Sequence, residues 1–361
     1  MMVEQGSTSD VEAVNPIRGV SGGGTPANIN DVASLAGVSI GTVSNTINHP
    51  EMVRRHTREA VESAIRELGF VPNQQARVLT GVSSQVIGLV VLDVVSPFFM
   101  EAARAVERAA SEAGYVVFLC NSENAPDKEG RLLEMLAAQR VRGVLLTPAS
   151  ANGGLDPARL RSQRLPVVFL DYELSIDDCS VAVDDVYGAR IAVQHLLDLG
   201  HERIAFVGGP SGLRQMAQRI QGARSAILEA GLDPAAALIE ISTPGIGTRD
   251  GLVAADWLLA GSVPTAVLCG NDMMAFGVFR GLSRAGLRIP EDVALVGYDD
   301  IDFAADWVVP LTSVRQPTDE LGYQAAQLLF EHSSGDEGHV HQQVVLQPEL
   351  IVRRSSDPGA R

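Results

Sequence analysis

The chain has 361 residues and a formal net charge of −16, and its length predicts two or three domains. It contains no run of about 18 or more apolar residues, so no membrane-spanning helix is expected. Taken over the whole chain, the acidic balance argues against a nucleic-acid partner, because neutralising phosphates requires cations.

The first 27 residues are rich in Gly, Ser and Pro and poor in large apolar side chains. Glu4, Asp10 and Glu12 are unlike the basic start of a secretory signal, so residues 1–27 are expected to form a disordered leader. The three cysteines stand far apart, without the spacing of a metal site. Reduced thiols are therefore expected, and with them a cytoplasmic location.

The segment after the leader has the pattern of two short helices joined by a tight turn. Asn28 or Asn30 can cap the first helix, Gly37 permits the turn, and Ser39 can cap the second helix. This is the pattern of a helix-turn-helix, whose second helix enters the major groove of DNA. An ordinary helical hairpin fits the same two helices.

A third amphipathic helix, predicted over residues 56–68, completes a small core and favours the helix-turn-helix. Its inward-facing residues are expected to be Ala60, Val61, Ala64, Ile65 and Leu68. Over residues 28–81, five arginines balance five acidic side chains, so the net charge lies elsewhere. Contacts with DNA must therefore rely on hydroxyls, amides and helix ends as well as on arginines.

The second helix carries short polar side chains that can approach DNA closely. Hydroxyls and amides can bond phosphate oxygens and base edges. Ile40, Gly41, Ser44, Asn45 and Asn48 are expected to be exposed on this helix. The full set of DNA contacts predicted here is Ser39, Ile40, Gly41, Thr42, Ser44, Asn45 and Asn48.

At this point the chain resembles the LacI/GalR family of bacterial transcriptional regulators. The residues that carry the resemblance read NINDVASLAGVSIGTVSNTIN, then RELGFVPNQQARVL, then IGLVV followed by SPFF, and later RQP. The resemblance implies a hinge helix that becomes ordered when two subunits meet on operator DNA. The matching hinge residues are Asn73, Ala76, Arg77 and Leu79, and Leu79 is implied to wedge into the minor groove.

The family resemblance also implies the partners. They are a second copy of the chain, a near-palindromic double-stranded operator and a small-molecule effector. Two residues of the second helix depart from the family pattern. Many members carry arginine or histidine where this chain has Asn45, and Gly41 has no side chain to read a base. The operator sequence therefore stays open.

Beyond residue 85, short apolar runs alternate with helical patterns, which predicts parallel sheets with helices on both faces. The predicted strands are 86–92, 115–120, 143–146, 166–171, 204–208, 237–241, 265–269 and 293–297. The predicted helices are 98–113, 127–139, 186–199, 217–230, 249–260 and 272–285. These units are too many for one sheet, so two doubly wound subdomains are expected, as in periplasmic binding proteins.

The fold class is thus α/β, with a three-helix headpiece and a hinge helix ahead of two parallel-sheet subdomains. The headpiece is expected at 28–72 and the hinge helix with its linker at 73–85. The N-terminal effector subdomain is expected at 86–183 and 315–346, and the C-terminal one at 184–314 and 347–354.

Polar and aromatic residues follow several predicted strands, where parallel α/β sheets bind ligands. In the resembling family, matching positions contact the effector; here they are Phe98, Phe99, Asp171, Arg219, Asn271 and Asp299. Arg219 is expected to open a helix. Other readings stay open: the two phenylalanines could be core residues, and Asp171, Asp184 and Asp300 could merely cap helices.

The expected effector is a neutral sugar or polyol of modest size. Asp, Asn and Arg together suit its hydroxyls, while Ile246 stands where other members place a bulky aromatic, and Tyr172 stands where arginine is common. A purine is a less favoured alternative.

The residues do not predict an enzyme. The glycine-rich turn GGPSG lacks the lysine and spacing of a phosphate-binding loop, and Lys128 is the only lysine, which leaves Schiff-base chemistry unsupported. His339 and His341 could bind a metal, but neither a metal site nor a cofactor is predicted. The competing non-enzyme reading is a solute-binding protein of the same body fold, which would not need residues 28–81.

Overall fold

The computed structural model describes residues 27–71, 84–149, 165–172, 177–334, 339–357 and 359. The chain forms two compact units that divide between residues 77 and 78. The predicted leader up to residue 26 and the predicted hinge residues Asn73, Ala76, Arg77 and Leu79 lie outside the described residues. Within the described part of the chain, every helix is too short or too polar to cross a bilayer.

The first unit contains three helices, as predicted. They are α1 (Ile29–Ala36), α2 (Ile40–Asn48) and α3 (Arg55–Leu68), with a 3₁₀ turn at Pro50–Met52 between the last two. Asn28 is the cap of α1, because its side chain accepts a hydrogen bond from the backbone N–H of Asn30.

The turn between α1 and α2 has the predicted chemistry. Gly37 adopts a left-handed φ of 65°, which a side chain would disfavour. Ser39 caps α2 by accepting a 3.1 Å bond from the N–H of Thr42. The buried core of the unit is formed by Val32, Ala33, Val43, Val61 and Ala64. The prediction for Ala60 is wrong: this residue is exposed, because it lies on the solvent side of α3.

The second unit is built on two six-stranded sheets. The strands of the first sheet are β1 (Val86–Val91), β2 (Val116–Asn121), β3 (Val144–Leu146), β4 (Val167–Leu170), β5 (Cys179–Val183) and β11 (Gln343–Leu346). Those of the second sheet are β6 (Ile204–Gly208), β7 (Leu238–Ser242), β8 (Ala266–Cys269), β9 (Ala294–Asp299), β10 (Thr312–Arg315) and β12 (Glu349–Ile351).

Helices flank both sheets. They are α4 (Pro97–Glu112), α5 (Pro126–Ala138), α6 (Asp185–Asp198), α7 (Arg214–Glu229), α8 (Pro234–Ala237), α9 (Thr248–Ala260), α10 (Asp272–Arg284), α11 (Asp302–Ala305) and α12 (Thr318–His332). The eight predicted strands and six predicted helices are all present within a few residues. The strands β5, β10, β11 and β12 and the helices α8, α11 and α12 were not predicted.

The strand order is β11-β5-β4-β3-β1-β2 in the first sheet and β12-β10-β9-β8-β6-β7 in the second. All neighbours in the first sheet are parallel. In the second sheet the edge strand β12 runs antiparallel to β10, so this sheet is mixed rather than wholly parallel. The chain passes between the sheets after β5, β10 and β11, so each half contains two separate stretches of sequence.

Candidate functional site

A cavity of about 370 Å³, including space open to solvent, lies at the carboxyl ends of strands from both sheets. Its lining contains every residue predicted to contact an effector. The lining residues are Leu92, Ser96, Phe98, Phe99, Asp171, Leu213, Gln215, Met216, Arg219, Ile246, Asn271 and Asp299. The structure thus brings the six predicted residues together, while their contact with an effector stays a prediction.

Two aspartates reach the cavity from the ends of strands. Asp171 follows β4 with a φ of 54°, and Asp299 ends β9 with a φ of 105°. Residues with a side chain rarely adopt positive φ, and such backbone strain is found mainly where the surrounding structure imposes it. Both of these residues, with their positive φ values, line the cavity.

Arg219 is the only basic side chain among the described residues that line the cavity. Its Nε donates a 2.7 Å hydrogen bond to Asp185, and its Nη1 donates to the carbonyl of Gly270. The guanidinium also lies 3.6 Å from the ring centroid of Tyr298 and 3.8 Å from Asp299. The prediction that Arg219 opens a helix is wrong, because α7 begins earlier, at Arg214.

The charge of Arg219 is compensated inside the protein. Burial disfavours its charged form, but Asp185, Tyr298 and Asp299 together outweigh burial and raise the pKa of Arg219 above its ordinary value. The guanidinium is therefore positive and already paired with Asp185 at 2.7 Å. An anionic ligand would find little uncompensated positive charge here.

Asp171 is bonded across the cavity by Gln215 of α7. The Nε2 of Gln215 donates to the carboxylate of Asp171 at 2.9 Å and to its backbone carbonyl at 3.1 Å. Burial, reinforced by the charge of Asp185, raises the pKa of Asp171 to about 8. At neutral pH this carboxyl is mostly protonated, so it can both donate and accept hydrogen bonds.

Asp299 and Asn271 complete the polar wall. Burial raises the pKa of Asp299 to about 7, although Arg219 and a 2.7 Å bond from Gln316 oppose the shift. Asn271 caps α10 by accepting a 2.8 Å bond from the N–H of Met274, and its amide donates to a carbonyl at residue 246. The side chain of Asn271 is thus held in one orientation toward the cavity.

The apolar wall is formed chiefly by Phe98 and Phe99 at the start of α4. Their rings meet edge to face, with centroids 5.0 Å apart. Both are buried in the hydrophobic core of the first sheet, where Leu213 and Met216 from the second half also pack. Each phenylalanine is therefore a core residue that also lines the cavity. The prediction of an effector contact and the alternative of a core role are compatible.

Two other aspartates have structural partners. Asp184 caps α6 by accepting a 2.8 Å bond from the N–H of Tyr187. The carboxylate of Asp300 is buried between the guanidinium groups of Arg315 and Arg353, with N–O distances of 2.8 and 2.5 Å. Asp184 therefore serves as the cap that was considered for it, whereas Asp300 is held by ion pairs.

In the first unit, the residues predicted to read DNA lie on and just before α2. Four of them are exposed: Ser39, Ile40, Gly41 and Asn45. Thr42 is half-buried. The expectation that Ser44 and Asn48 are exposed is wrong, because both are half-buried and the amide of Asn48 donates a 3.3 Å bond to the hydroxyl of Ser44.

Both units match families of known proteins. Residues 28–73 match the model described as bacterial regulatory proteins, lacI family, and residues 193–356 match a periplasmic binding protein-like domain. The chain is 37% identical to the ribose operon repressor of Escherichia coli (strain K12) over 335 residues, which cover 91% of this chain and 100% of the relative. It belongs to the lacI family of bacterial regulatory proteins.

Other relatives agree with this family. The HTH-type transcriptional repressor PurR of Histophilus somni (strain 129Pt) is 34% identical over 91% of this chain and 98% of its own. Among solved structures, a complex of the transcriptional regulator CelR with cellobiose is 34% identical, covering 91% of this chain and 100% of that one, with a TM-score of 0.69. The lac repressor dimer bound to operator and the anti-inducer ONPF is 28% identical, covering 92% and 99%, with a TM-score of 0.78.

As a lacI-family member, the chain is a DNA-binding transcriptional regulator with a ligand-binding body. Its relatives are transcriptional repressors rather than enzymes or exported solute-binding proteins. The presence of the three-helix unit excludes the solute-binding alternative that the body alone would have allowed.

The sequence pattern missed two polar residues of the cavity, Ser96 and Gln215, of which Gln215 bonds Asp171. The helix was predicted to begin at residue 217, so this side chain fell in a presumed loop. The available signal was its spacing: residues four apart share a face of a helix, and Gln215 stands four before Arg219. Leu213 and Met216 were missed for the same reason.

We expect Asp171→Asn to flatten the pH dependence of thermal stability. The raised pKa of Asp171 means that the folded protein holds a proton that the unfolded chain releases above about 3.8. This carboxyl therefore favours the folded state most at low pH, and its contribution is lost as the pH rises toward about 8. Asparagine mimics the protonated acid and carries no such loss.

The measurement is the melting temperature of both proteins across this pH range. The wild-type value should fall more steeply than that of Asp171→Asn. Asp256→Asn, at an exposed position on α9, serves as the control and should follow the wild type. Equal slopes for the wild type and Asp171→Asn would contradict the raised pKa.

Proposed function

We propose that this regulator is a homodimeric repressor controlled by a neutral carbohydrate or polyol bound in the cavity. The observation that carries the proposal is the state of the polar wall. Arg219 is neutralised by Asp185, while Asp171 carries its proton at neutral pH. Such a wall offers hydrogen bonds to hydroxyl groups and little uncompensated positive charge, beside the rings of two phenylalanines.

The names of relatives support this ligand class. The E. coli relative is a ribose operon repressor, and the CelR structure holds cellobiose. A purine, the less favoured alternative from the sequence, is the second candidate. Ile246 favours the sugar, since an aliphatic side chain lines the cavity where a stacking aromatic would suit a flat base.

We propose that α2 reads the operator in the major groove. The exposed side chain of Asn45 is the strongest candidate for a base contact, because an amide can pair with adenine through two hydrogen bonds. Ser39, Thr42, Ser44 and Asn48 would bond phosphate oxygens or neighbouring groups. The hinge residue Leu79 would wedge into the minor groove at the centre of a near-palindromic site.

An exposed edge strand supports a second copy of the chain as the protein partner. Strand β2 lies at the edge of the first sheet, and its Val116, Phe118 and Leu119 are 60%, 45% and 45% exposed. Soluble proteins usually protect such apolar edges with charge or cover them. A homodimer would cover this strand, and the lac repressor structure is a dimer.

The contact between Gln215 and Asp171 gives a route for ligand control. It joins α7 of the second half to the end of β4 in the first half. A ligand that bonds both residues binds one spacing of the two halves better than another, which is the differential affinity that allostery requires. In this proposal the bounds of the headpiece, the hinge and the two effector subdomains are those expected from the sequence. The protein acts in the cytoplasm.

Gln215→Ala should weaken effector binding about tenfold while operator affinity changes by less than about twofold. A hydrogen bond from Gln215 to the ligand contributes about 1.4 kcal/mol, and its loss is about tenfold in affinity. Effector binding is measured as the rise in melting temperature with pentoses, cellobiose, polyols and purine bases, and operator binding as gel retardation. Gln221→Ala, on the exposed face of the same helix, should behave like the wild type.

The ligand screen also decides between the candidate effectors. Stabilisation by a neutral sugar or polyol supports the proposal. A response to purines alone would overturn the ligand class, and a response only to sugar phosphates would contradict a wall with little uncompensated positive charge.

Asn45→Ala should lower operator affinity about tenfold, because a bidentate base contact contributes about 1–3 kcal/mol of discrimination. The melting temperature should not change, since the side chain is exposed. Gel retardation measures the effect, with Ser34→Ala on the exposed face of α1 as the control. If the affinity for every duplex is unchanged, Asn45 does not contact a base.

Phe118→Glu should shift the protein toward monomers and weaken operator binding at least tenfold. A charge on an apolar edge strand opposes its burial against a second copy. Sedimentation velocity reports the oligomeric state, and Met135→Glu is the control because this side chain is also exposed, on α5. If Phe118→Glu remains dimeric, β2 is not part of the interface.

A further inference from the structure

Four potential metal ligands converge in the first half of the body. They are Cys179, His332, His339 and His341, whose ligand atoms all lie within 4.8 Å of one another. The sulfur of Cys179 is 3.1 Å from Nε2 of His339 and 3.5 Å from Nδ1 of His341. The cluster contains one soft sulfur donor and three imidazoles.

The fold brings these residues together from three places in the chain. Cys179 begins β5, His332 ends α12, and the other two histidines precede β11. The parallel pairing of β5 with β11, in which Ser180 is opposite Gln343, aligns the starts of both strands. The cluster therefore lies at the amino ends of the strands, whereas the effector cavity lies at the carboxyl ends.

One buried polar atom of the cluster has no hydrogen-bond partner among the described residues. Nδ1 of His332 is buried and has no hydrogen-bond partner in the part of the chain that the structure describes. The ring of His332 stacks on that of His339 with centroids 4.7 Å apart, and His341 stands at right angles to both. A single thiol proton cannot satisfy three imidazoles, so this cluster is not explained as an ordinary hydrogen-bonded core.

The surroundings also favour a cation. Asp178 and Glu331 lie close enough to act electrostatically on Cys179. His332 is the last residue of α12, where the helix dipole is negative. A hydrogen bond to the backbone of Val167 helps hold the ring of His332 in place, as is usual for metal-binding histidines.

We propose that Cys179, His332, His339 and His341 form a zinc site. One sulfur and three nitrogens are a tetrahedral donor set that zinc accepts. In such a site the sulfur and a nitrogen are about 3.6 Å apart, given zinc bonds of about 2.3 and 2.0 Å. The separations of 3.1 and 3.5 Å from Cys179 need only small adjustment to reach that value.

Metal binding would deprotonate the thiol. The S–H bond of Cys179 breaks, its proton passes to solvent, and the thiolate forms the bond to zinc while each histidine contributes a neutral nitrogen. The site would fasten the end of α12 to β5 and to the edge strand β11. Zinc should therefore raise the melting temperature of the full chain.

The test uses the full-length protein after removal of metals with a chelator. We expect one zinc per chain by atomic spectroscopy after dialysis, and cobalt(II) should give the charge-transfer absorption of a metal thiolate. Cys179→Ser should abolish that absorption and weaken zinc binding at least tenfold, and His339→Ala should weaken zinc binding similarly. Cys120→Ser and His201→Ala, which change the same residue types elsewhere, should bind zinc like the wild type.

Two results would overturn the proposal. One is a wild-type protein that holds no more zinc than Cys179→Ser. The other is a loss of zinc in the two control variants as large as that in the cluster variants. Circular dichroism confirms folding, and His341→Ala carries the same test should the buried Cys179→Ser variant not fold.

Discussion

The effector cavity depends on the buried ion pair between Arg219 and Asp185. Buried charges are tolerated only when they are paired and hydrogen-bonded. This requirement brings α7 against the start of α6, the loop after β8 and the end of β9, because Arg219 contacts Asp185, Gly270 and Tyr298. The pair therefore positions the cavity wall and also compensates the charge of Arg219. Recognition in this cavity must rely on hydrogen bonds and apolar contact.

The contacts that can change lie between the two halves, where side chains reach across the cavity. Gln215 belongs to the second half and bonds Asp171 of the first. Leu213 and Met216 cross in the same direction and pack with the phenylalanines of α4. In the proposed mechanism, a ligand in the cavity would compete with or reinforce these contacts and so change how the two halves are held. The ion pair lies within one half and does not need to move.

The sequence predicted the elements whose pattern is local and missed those defined by their neighbours. Strands such as β1 and β8 are continuous apolar runs, which indicates burial on both faces. The missed strands β10 (TSVR) and β12 (ELI) are short and mixed, and they form only because adjacent strands supply partners. Five of the six predicted cavity residues come soon after strands, and Arg219 was predicted from the resemblance to a family in which the matching position contacts the effector. Gln215 was missed because it lies within the first turn of a helix.

The proposed zinc cluster also could not be predicted from local sequence pattern, because its residues are far apart in the chain. No spacing rule links Cys179 to three histidines about 160 residues later; the pairing of β5 with β11 does so. The strand β5 that begins at Cys179 leads directly into Asp185, the partner of Arg219. Its five residues span only about 17 Å at the usual rise. A metal bound at the start of β5 would therefore hold the same strand whose far end positions the ion pair of the effector cavity.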